Sequence, residues 1–152
     1  MNKKVLTAVL ALVLGAGYAL TAFSQVKPDV LVKQRQAAMT LLGKYFGPLG
    51  GMAQGIVPYN ADVVTRNAGY LEVLSQMPWD GFQASTANEK SRALPAVYAD
   101  TVKFKKAGED MQAAVAKVVS VSKGGDEAAT KAAIGPVGKA CGGCHDNFRQ
   151  KQ

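Results

Sequence analysis

The stretch KACGGCHDNF, Lys139 to Phe148, holds every cysteine and histidine of the 152-residue chain. Cys141 and Cys144 are separated by two glycines, and His145 follows directly. On a helix, residues three and four positions apart lie on the same face, so the two thiols and the imidazole would point the same way. This concentration of reactive side chains predicts one site that holds one bound group.

The spacing C-x-x-C-H is the attachment signature of c-type haem, in which two thiols form thioether bonds and the histidine binds iron. A thioredoxin-like redox pair requires a βαβ context, which the sequence lacks. A zinc site requires four ligands, and the chain has no second pair of cysteines or histidines. We therefore predict one haem c, attached through Cys141 and Cys144, with His145 as the proximal iron ligand.

Residues 1–24 have the three parts of a secretory signal peptide. Two lysines precede an apolar run, and small residues at Ala22 and Ser24 form a small-x-small cleavage site. A membrane anchor is the alternative, but glycines interrupt the apolar run, and no later segment approaches the roughly 20 apolar residues of a membrane span. We predict a periplasmic protein with its mature domain at 25–152 and no membrane segment after cleavage.

The charge of the chain suits a protein partner and says little about nucleic acid, and we expect no nucleic-acid partner. Removal of residues 1–24 takes away two lysines and no acidic residue, so the formal charge falls from +7 to +5. This modest excess is spread along the chain and suits contact with an acidic redox partner protein. A structural disulfide is the usual expectation for two exported cysteines, but the C-x-x-C-H spacing argues against it.

The hydrophobic periodicity is helical throughout, with no sustained period-two alternation. The first helix should begin near Pro28 and be kinked or ended by Gly47-Pro48 and Gly50-Gly51. A second helix should follow Asn60, a good N-cap, and stop before Pro78. The inner face of the first helix is predicted to carry Leu31, Arg35, Met39, Leu42, Phe46 and Leu49, and that of the second Val63 or Val64, Asn67, Leu71 and Leu74.

The stretch from Met77 to Leu94 lacks a helical period and predicts a long loop, with Trp79 and Phe82 as its anchors. A third helix should run from Pro95 to Gly124-Gly125. Its predicted seam comprises Val97, Thr101, Phe104, Met111, Val115 and Val118.

The fourth helix should be capped by Asp126 and kinked near Gly135, because Pro136 lacks a backbone donor. Its predicted inner stripe comprises Thr130, half-buried, then Ile134, Val137, Cys141, Cys144 and Phe148. The fold predicted from these four helices is all-α, an antiparallel four-helix bundle with haem attached near the C-terminus of the last helix.

A haem motif at the end of a four-helix bundle resembles the class II c-type cytochromes, and among them the cytochrome c′ family. The resemblance rests on KPDVLVKQRQAAM, LEVLSQMPWDGF and VGKACGGCHDNFRQKQ, and it covers the mature chain. It implies a periplasmic homodimer packed through its first two helices, with five-coordinate high-spin haem. It also implies binding of nitric oxide and carbon monoxide, or electron transport. We expect no enzyme activity, because the sequence positions no second acid–base group near the haem.

Four further site residues follow from the resemblance alone. Arg35 matches an arginine that pairs with a haem propionate, and Arg149 matches a basic residue close to the proximal histidine. Trp79 and Phe82 match aromatic residues near the haem pocket. Core packing is the alternative role for Trp79, and a solvated charge is the alternative for Arg149.

Met39 matches the residue on the distal side of the iron, and it leaves two functions open. In low-spin relatives a methionine at this position binds the iron, which gives a six-coordinate electron carrier. In cytochrome c′ the residue only fills the distal pocket and the iron binds gases. MPWDGF favours open iron, whereas the ending GPVGKACGGCHDNFR favours the low-spin alternative.

Overall fold

A computed structural model describes residues 26–151, so the predicted signal peptide, residues 1–24, lies outside the described part of the chain. The described residues form five α-helices and two 3₁₀ turns, with no β-strand among them. The helices are α1 (Pro28–Ala53), α2 (Ala61–Leu74), α3 (Ala96–Ala99), α4 (Thr101–Ser122) and α5 (Glu127–Phe148), and the 3₁₀ turns are Trp79–Phe82 and Ala84–Thr86. Between residues 26 and 151 no helix has both the length and the hydropathy needed to cross a membrane.

The four long helices, α1, α2, α4 and α5, form the predicted four-helix bundle around one apolar core. Each large side chain buried there stabilises the fold by roughly 1.5–3 kcal/mol relative to an exposed position. The core comprises Leu49, Met52, Val64, Ala68, Leu71, Met111, Val115, Val118, Val119, Ala133, Ile134 and Val137.

The predicted helix caps are confirmed. The Asn60 side chain accepts a hydrogen bond from the Val63 amide at 3.0 Å, and Asp126 accepts one from the Ala129 amide at 3.0 Å. Each bond satisfies an amide that has no partner inside its helix. The α2 helix ends at Leu74, before Pro78, as the sequence predicts.

The first helix ends close to the second of its two predicted positions, whereas Thr130 is more deeply buried than predicted. The α1 helix continues through Gly47-Pro48 and ends at Ala53, two residues after Gly51; Pro48 lies on the exposed side, while Leu49 beside it is buried in the core. Thr130 is fully buried, not half-buried. Its hydroxyl donates to the Asp126 carbonyl at 2.7 Å, so burial leaves no polar atom without a partner.

The predicted third helix is two helices. Asp100, with φ −116° and ψ 65°, leaves the helical conformation between α3 and α4. Its carboxylate accepts a hydrogen bond from the Lys103 amide at 3.2 Å and so begins a new helix. Thr101, predicted for the seam, is consequently exposed, whereas Val97 and Met111 are buried.

Candidate haem site

Cys141, Cys144 and His145 lie on α5 at the wall of a cavity with two lobes. All three are half-buried, and the two cysteines are not joined in a disulfide. The outer lobe, about 460 Å³, lies between α1, the loop after α2 and the end of α5. The inner lobe, about 260 Å³, lies among the four long helices. Met39 and His145 line both lobes, so the predicted distal and proximal residues face one cavity.

The inner lobe is lined mainly by apolar side chains. Its polar groups are few, and the indole nitrogen of Trp79 is already engaged, donating to the Ser75 carbonyl at 2.7 Å. An apolar cavity of this kind suits a flat hydrophobic ligand and excludes water. The apolar lining comprises Met39, Leu42, Phe46, Leu71, Trp79, Ala107, Met111, Val115, Val137 and Ala140.

Trp79 reaches the inner lobe because α4 has no side chain at Gly108. A β-carbon at Gly108 would lie 2.7 Å from Cη2 of the indole, closer than such atoms pack. The indole also packs edge-on against Phe104, with the ring centroids 5.8 Å apart. Trp79 therefore packs in the core and lines the cavity at the same time, as the sequence allows.

Three phenylalanines form an aromatic wall of the outer lobe. The ring centroids of Phe82 and Phe104 are 4.8 Å apart, and those of Phe104 and Phe148 are 5.2 Å apart. Only Phe82 is among the predicted site residues. The periodicity places Phe104 and Phe148 on inner stripes, but it does not distinguish a cavity wall from ordinary core.

Arg35 is a buried cation of the outer lobe, with 3% of its surface exposed. Its Nη1 donates to the Gly81 carbonyl at 2.5 Å and to the hydroxyls of Thr86 and Tyr98 at 3.0 and 3.1 Å. Its Nη2 donates to the Ser91 hydroxyl at 2.9 Å.

All four of these partners are neutral, and no described carboxylate lies within 4.0 Å of the Arg35 guanidinium. A buried charge is costly unless an opposite charge compensates it. Arg35 therefore fits an anionic group bound in the outer lobe, which agrees with the predicted propionate pairing.

Two more arginines line the outer lobe, and one was not predicted. Arg149 is exposed and lines both lobes, next to Cys144 and His145. Arg92 is half-buried, and its Nη2 donates to the Gln150 carbonyl at 2.6 Å. Nothing in the sequence around Arg92 distinguishes it from any other polar loop residue.

Burial sets the protonation states around the cavity. Burial raises the pKa of the Cys141 and Cys144 thiols, so both are neutral at pH 7. Burial, reinforced by the Arg149 guanidinium, lowers the pKa of His145 below its ordinary value of 6.5. Its imidazole is therefore neutral at pH 7, the form that binds a metal.

The residues present fit a haem. Two thiols and a neutral imidazole lie along one side of a helix, beside an apolar cavity with a cationic rim. Gly142 and Gly143 border open space, since no atom lies within 4 Å of a β-carbon built at either position. A flat macrocycle beside the helix would meet no side chain from these two residues.

Comparison with known proteins identifies the family. The sequence profile of cytochrome c′ matches residues 30–149. A cytochrome c′ from Rubrivivax gelatinosus is 40% identical over 126 residues, which are 82% of this chain and 98% of that protein. A crystal structure of cytochrome c′ from the same bacterium has a TM-score of 0.78 at 40% identity, with coverage of 82% and 98%.

Two further structures are variants of cytochrome c′ from Alcaligenes xylosoxidans, one as a nitric oxide complex and one with carbon monoxide bound. In each comparison the identity is 35%, the TM-score is 0.76, and the match covers 83% of this chain and 98% of the other. These relatives are four-helix bundles, as this chain is. The cofactor of this chain is haem c, attached through Cys141 and Cys144. With this fold, this cofactor and a match over residues 30–149, the chain belongs to the cytochrome c′ family.

Proposed function

We propose that this protein is a periplasmic haem protein that binds nitric oxide and carbon monoxide on five-coordinate iron. The observation that carries the proposal is the apolar lining of the inner lobe, which suits a small neutral molecule held beside the haem. When bound, the haem supplies the iron centre that holds a gas molecule or an electron. The gas complexes of the Alcaligenes relatives support the same conclusion.

His145 would bind the iron in this proposal, and the Arg149 guanidinium, which lines the same two lobes, disfavours protonation of the imidazole. A neutral imidazole is available at pH 7 because burial and the Arg149 guanidinium both disfavour its protonated form. Cys141 and Cys144, one helical turn apart, fix the macrocycle beside the histidine. These residues position the cofactor and take no part in bond breaking.

In this proposal Met39 would fill apolar space beside the bound haem and would not bind its iron. The apolar inner lobe admits small neutral molecules and offers little hydrogen bonding to bound dioxygen. Methionine is a common filler of irregular apolar space, so core packing alone accounts for it. No carboxylate lines either lobe among the described residues, and we propose binding or electron transfer as the function.

A second candidate function is electron transfer by a six-coordinate haem with His145 and Met39 as axial ligands. The observation that favours it is that the half-buried Met39 lines both lobes together with His145. A thioether ligand would raise the reduction potential and close the iron to gases.

Carbon monoxide distinguishes the two candidates. With open iron, carbon monoxide added to the reduced protein changes the Soret spectrum within the mixing time. A reduced protein whose spectrum does not respond would rule out gas binding and favour the electron carrier. Myoglobin, measured in the same way, controls for the quality of the gas solution.

We also propose that the mature domain comprises residues 25–152, that residues 1–24 direct export, and that the mature chain forms a homodimer through α1 and α2. Exposed apolar side chains on these helices and the loop between them support the dimer. They are Leu41, Ile56, Val57, Tyr70 and Val73.

Sedimentation measures the association, and Val73→Asp is the test variant because its side chain is 58% exposed. A charge there should shift the protein to monomer. Val102→Asp, at a 79% exposed position on α4, is the matched control and should leave the association unchanged. Equal sedimentation of Val73→Asp and the unmodified protein would place the interface elsewhere.

A further inference from the structure

The rim of the outer lobe carries three arginines, Arg35, Arg92 and Arg149, and no carboxylate among its described lining residues. Its other polar lining groups include amides and hydroxyls. Such a rim selects an anion, because nothing within it compensates the three positive charges.

Arg92 is held in place by a short antiparallel contact between the loop and the end of α5. The Gln150 amide donates to the Arg92 carbonyl at 2.9 Å, and the Leu94 amide donates to the Phe148 carbonyl at 3.0 Å. Ala93 and Arg149 form the β-bridge between these two bonds. The backbone of Arg92 is therefore bonded to Gln150, two residues after the end of α5, the helix that carries His145.

The side chain of Arg92 is fixed as well. Its Nη2 donates to the Gln150 carbonyl, and the residue is half-buried beside the cavity. A guanidinium has five N–H donors, so this single bond leaves the others for a ligand. Arg35 differs, because both of its Nη atoms already donate to neutral oxygens.

We propose that Arg92 binds one of the two haem propionates at the rim of the outer lobe. The proposal rests on the haem attachment described above and adds a residue that the motif does not indicate. Arg35 supplies a buried charge with few free donors, whereas Arg92 supplies a positioned guanidinium with free N–H groups. A charged hydrogen bond between a guanidinium and a carboxylate is about twice as strong as a neutral one.

The competing explanation is that Arg92 has only a structural role and holds Gln150 in place through its hydrogen bond. Arg92→Gln removes the charge, and thermal unfolding of this variant measures how much the bond to the Gln150 carbonyl contributes to stability. Arg92→Lys retains the charge and loses the planar fork. Lys90→Gln, at an exposed position two residues earlier that does not line the cavity, is the control for the loss of any nearby charge.

The readouts are the reduction potential and the resonance Raman bands of the propionates, measured on the holoprotein. In Arg92→Gln we expect a lower potential, because a cation near the iron favours the reduced form, and shifted propionate bands. Arg92→Lys should retain most of the potential and still shift the bands. Lys90→Gln should change the potential only at low ionic strength, since the Debye length falls to about 3 Å at 1 M salt.

Propionate bands that remain unshifted in both Arg92 variants would overturn the proposal and leave Arg92 as a structural pin. Thermal unfolding shows whether each variant is folded. If Arg92→Gln does not fold, Arg92→Lys is used for the test instead. Carbon monoxide binding, recorded on the same samples, distinguishes this failure from a failure of the proposed function. Unshifted bands with normal gas binding reject the role of Arg92 alone.

Discussion

Arg35 donates from Nη1 to the carbonyl oxygen of Gly81 at 2.5 Å, across 46 positions of the sequence. The contact is close because Gly81 has no side chain. A β-carbon there would lie 2.6 Å from Cβ of Arg35 and 2.8 Å from the Leu31 carbonyl oxygen. The loop that carries Trp79 and Phe82 therefore rests directly on α1.

Gly81→Ala should destabilise the protein by about 1–3 kcal/mol, the usual cost of overpacking a tight site. One of the clashing atoms belongs to the α1 backbone and cannot rotate away. Chemical unfolding of the holoprotein measures the free energy. Gly124→Ala is the control, because the nearest atom to its β-carbon is at an ordinary 3.4 Å. Equal stabilities of the two variants would mean that the loop moves away from α1 at little cost.

Gly108→Ala should displace the indole of Trp79 from the inner lobe. Trp79 is the only tryptophan of the chain, so its fluorescence reports the displacement directly. We expect altered emission, a loss of about 1–3 kcal/mol from overpacking, and changed carbon monoxide kinetics. Unchanged emission together with full stability would show that α4 moves to relieve the clash and the indole stays in place.

Met39→Leu and Met39→Ala should both leave the spectrum high-spin, because the iron is open in the proposed state. Met39→Ala should also bind carbon monoxide several times faster, since it removes bulk from the cavity. Met39→Leu nearly conserves volume and is the matched control. A low-spin parent that turns high-spin in both variants would identify Met39 as a ligand and favour the electron carrier.

Asp100→Asn should destabilise the protein at neutral pH but not at strongly acidic pH. The Lys103 side chain and its backbone amide lower the pKa of Asp100 below its ordinary value of 3.8. A lowered pKa stabilises the fold above the unfolded value, and this contribution is lost as the pH falls through the folded value. Acid titrations of both proteins should therefore converge below pH 3.8.

Salt provides the control for Asp100. The carboxylate is exposed, so 1 M salt should weaken its attraction to Lys103 and reduce the difference at neutral pH. If the difference in stability between the parent protein and Asp100→Asn persists unchanged at low pH, the effect comes from cap geometry and not from charge.

Local patterns predicted much of this fold, and distant contacts account for the failures. Asn60 and Asp126 are caps that a few adjacent residues specify, and both predictions are confirmed. Asp100 is also a cap, but the sequence does not reveal it. Pro95 is a suitable helix start, and one unbroken helix from Pro95 fits the same apolar spacing. Gly47-Pro48 and Gly50-Gly51 predict a kink or an end, and the helix ends just after the second pair, at Ala53.

The site residues also fall into two groups, those that a local pattern predicts and those that only distant contacts reveal. The spacing of Cys141, Cys144 and His145 is local and predicts the cofactor from five residues. The partners of Arg35 lie 46 to 63 positions away, so no pattern near Arg35 indicates them. Arg92 meets Gln150 across 58 positions, and only the folded chain shows the two together.

The bridge between Ala93 and Arg149 also bears on the order of assembly. Translation produces the walls of the cavity first and the helix that holds the haem last. The loop at Ala93 can be fastened only after the final turn of α5 has been made. Closure of the pocket rim therefore depends on the chain as far as Arg149.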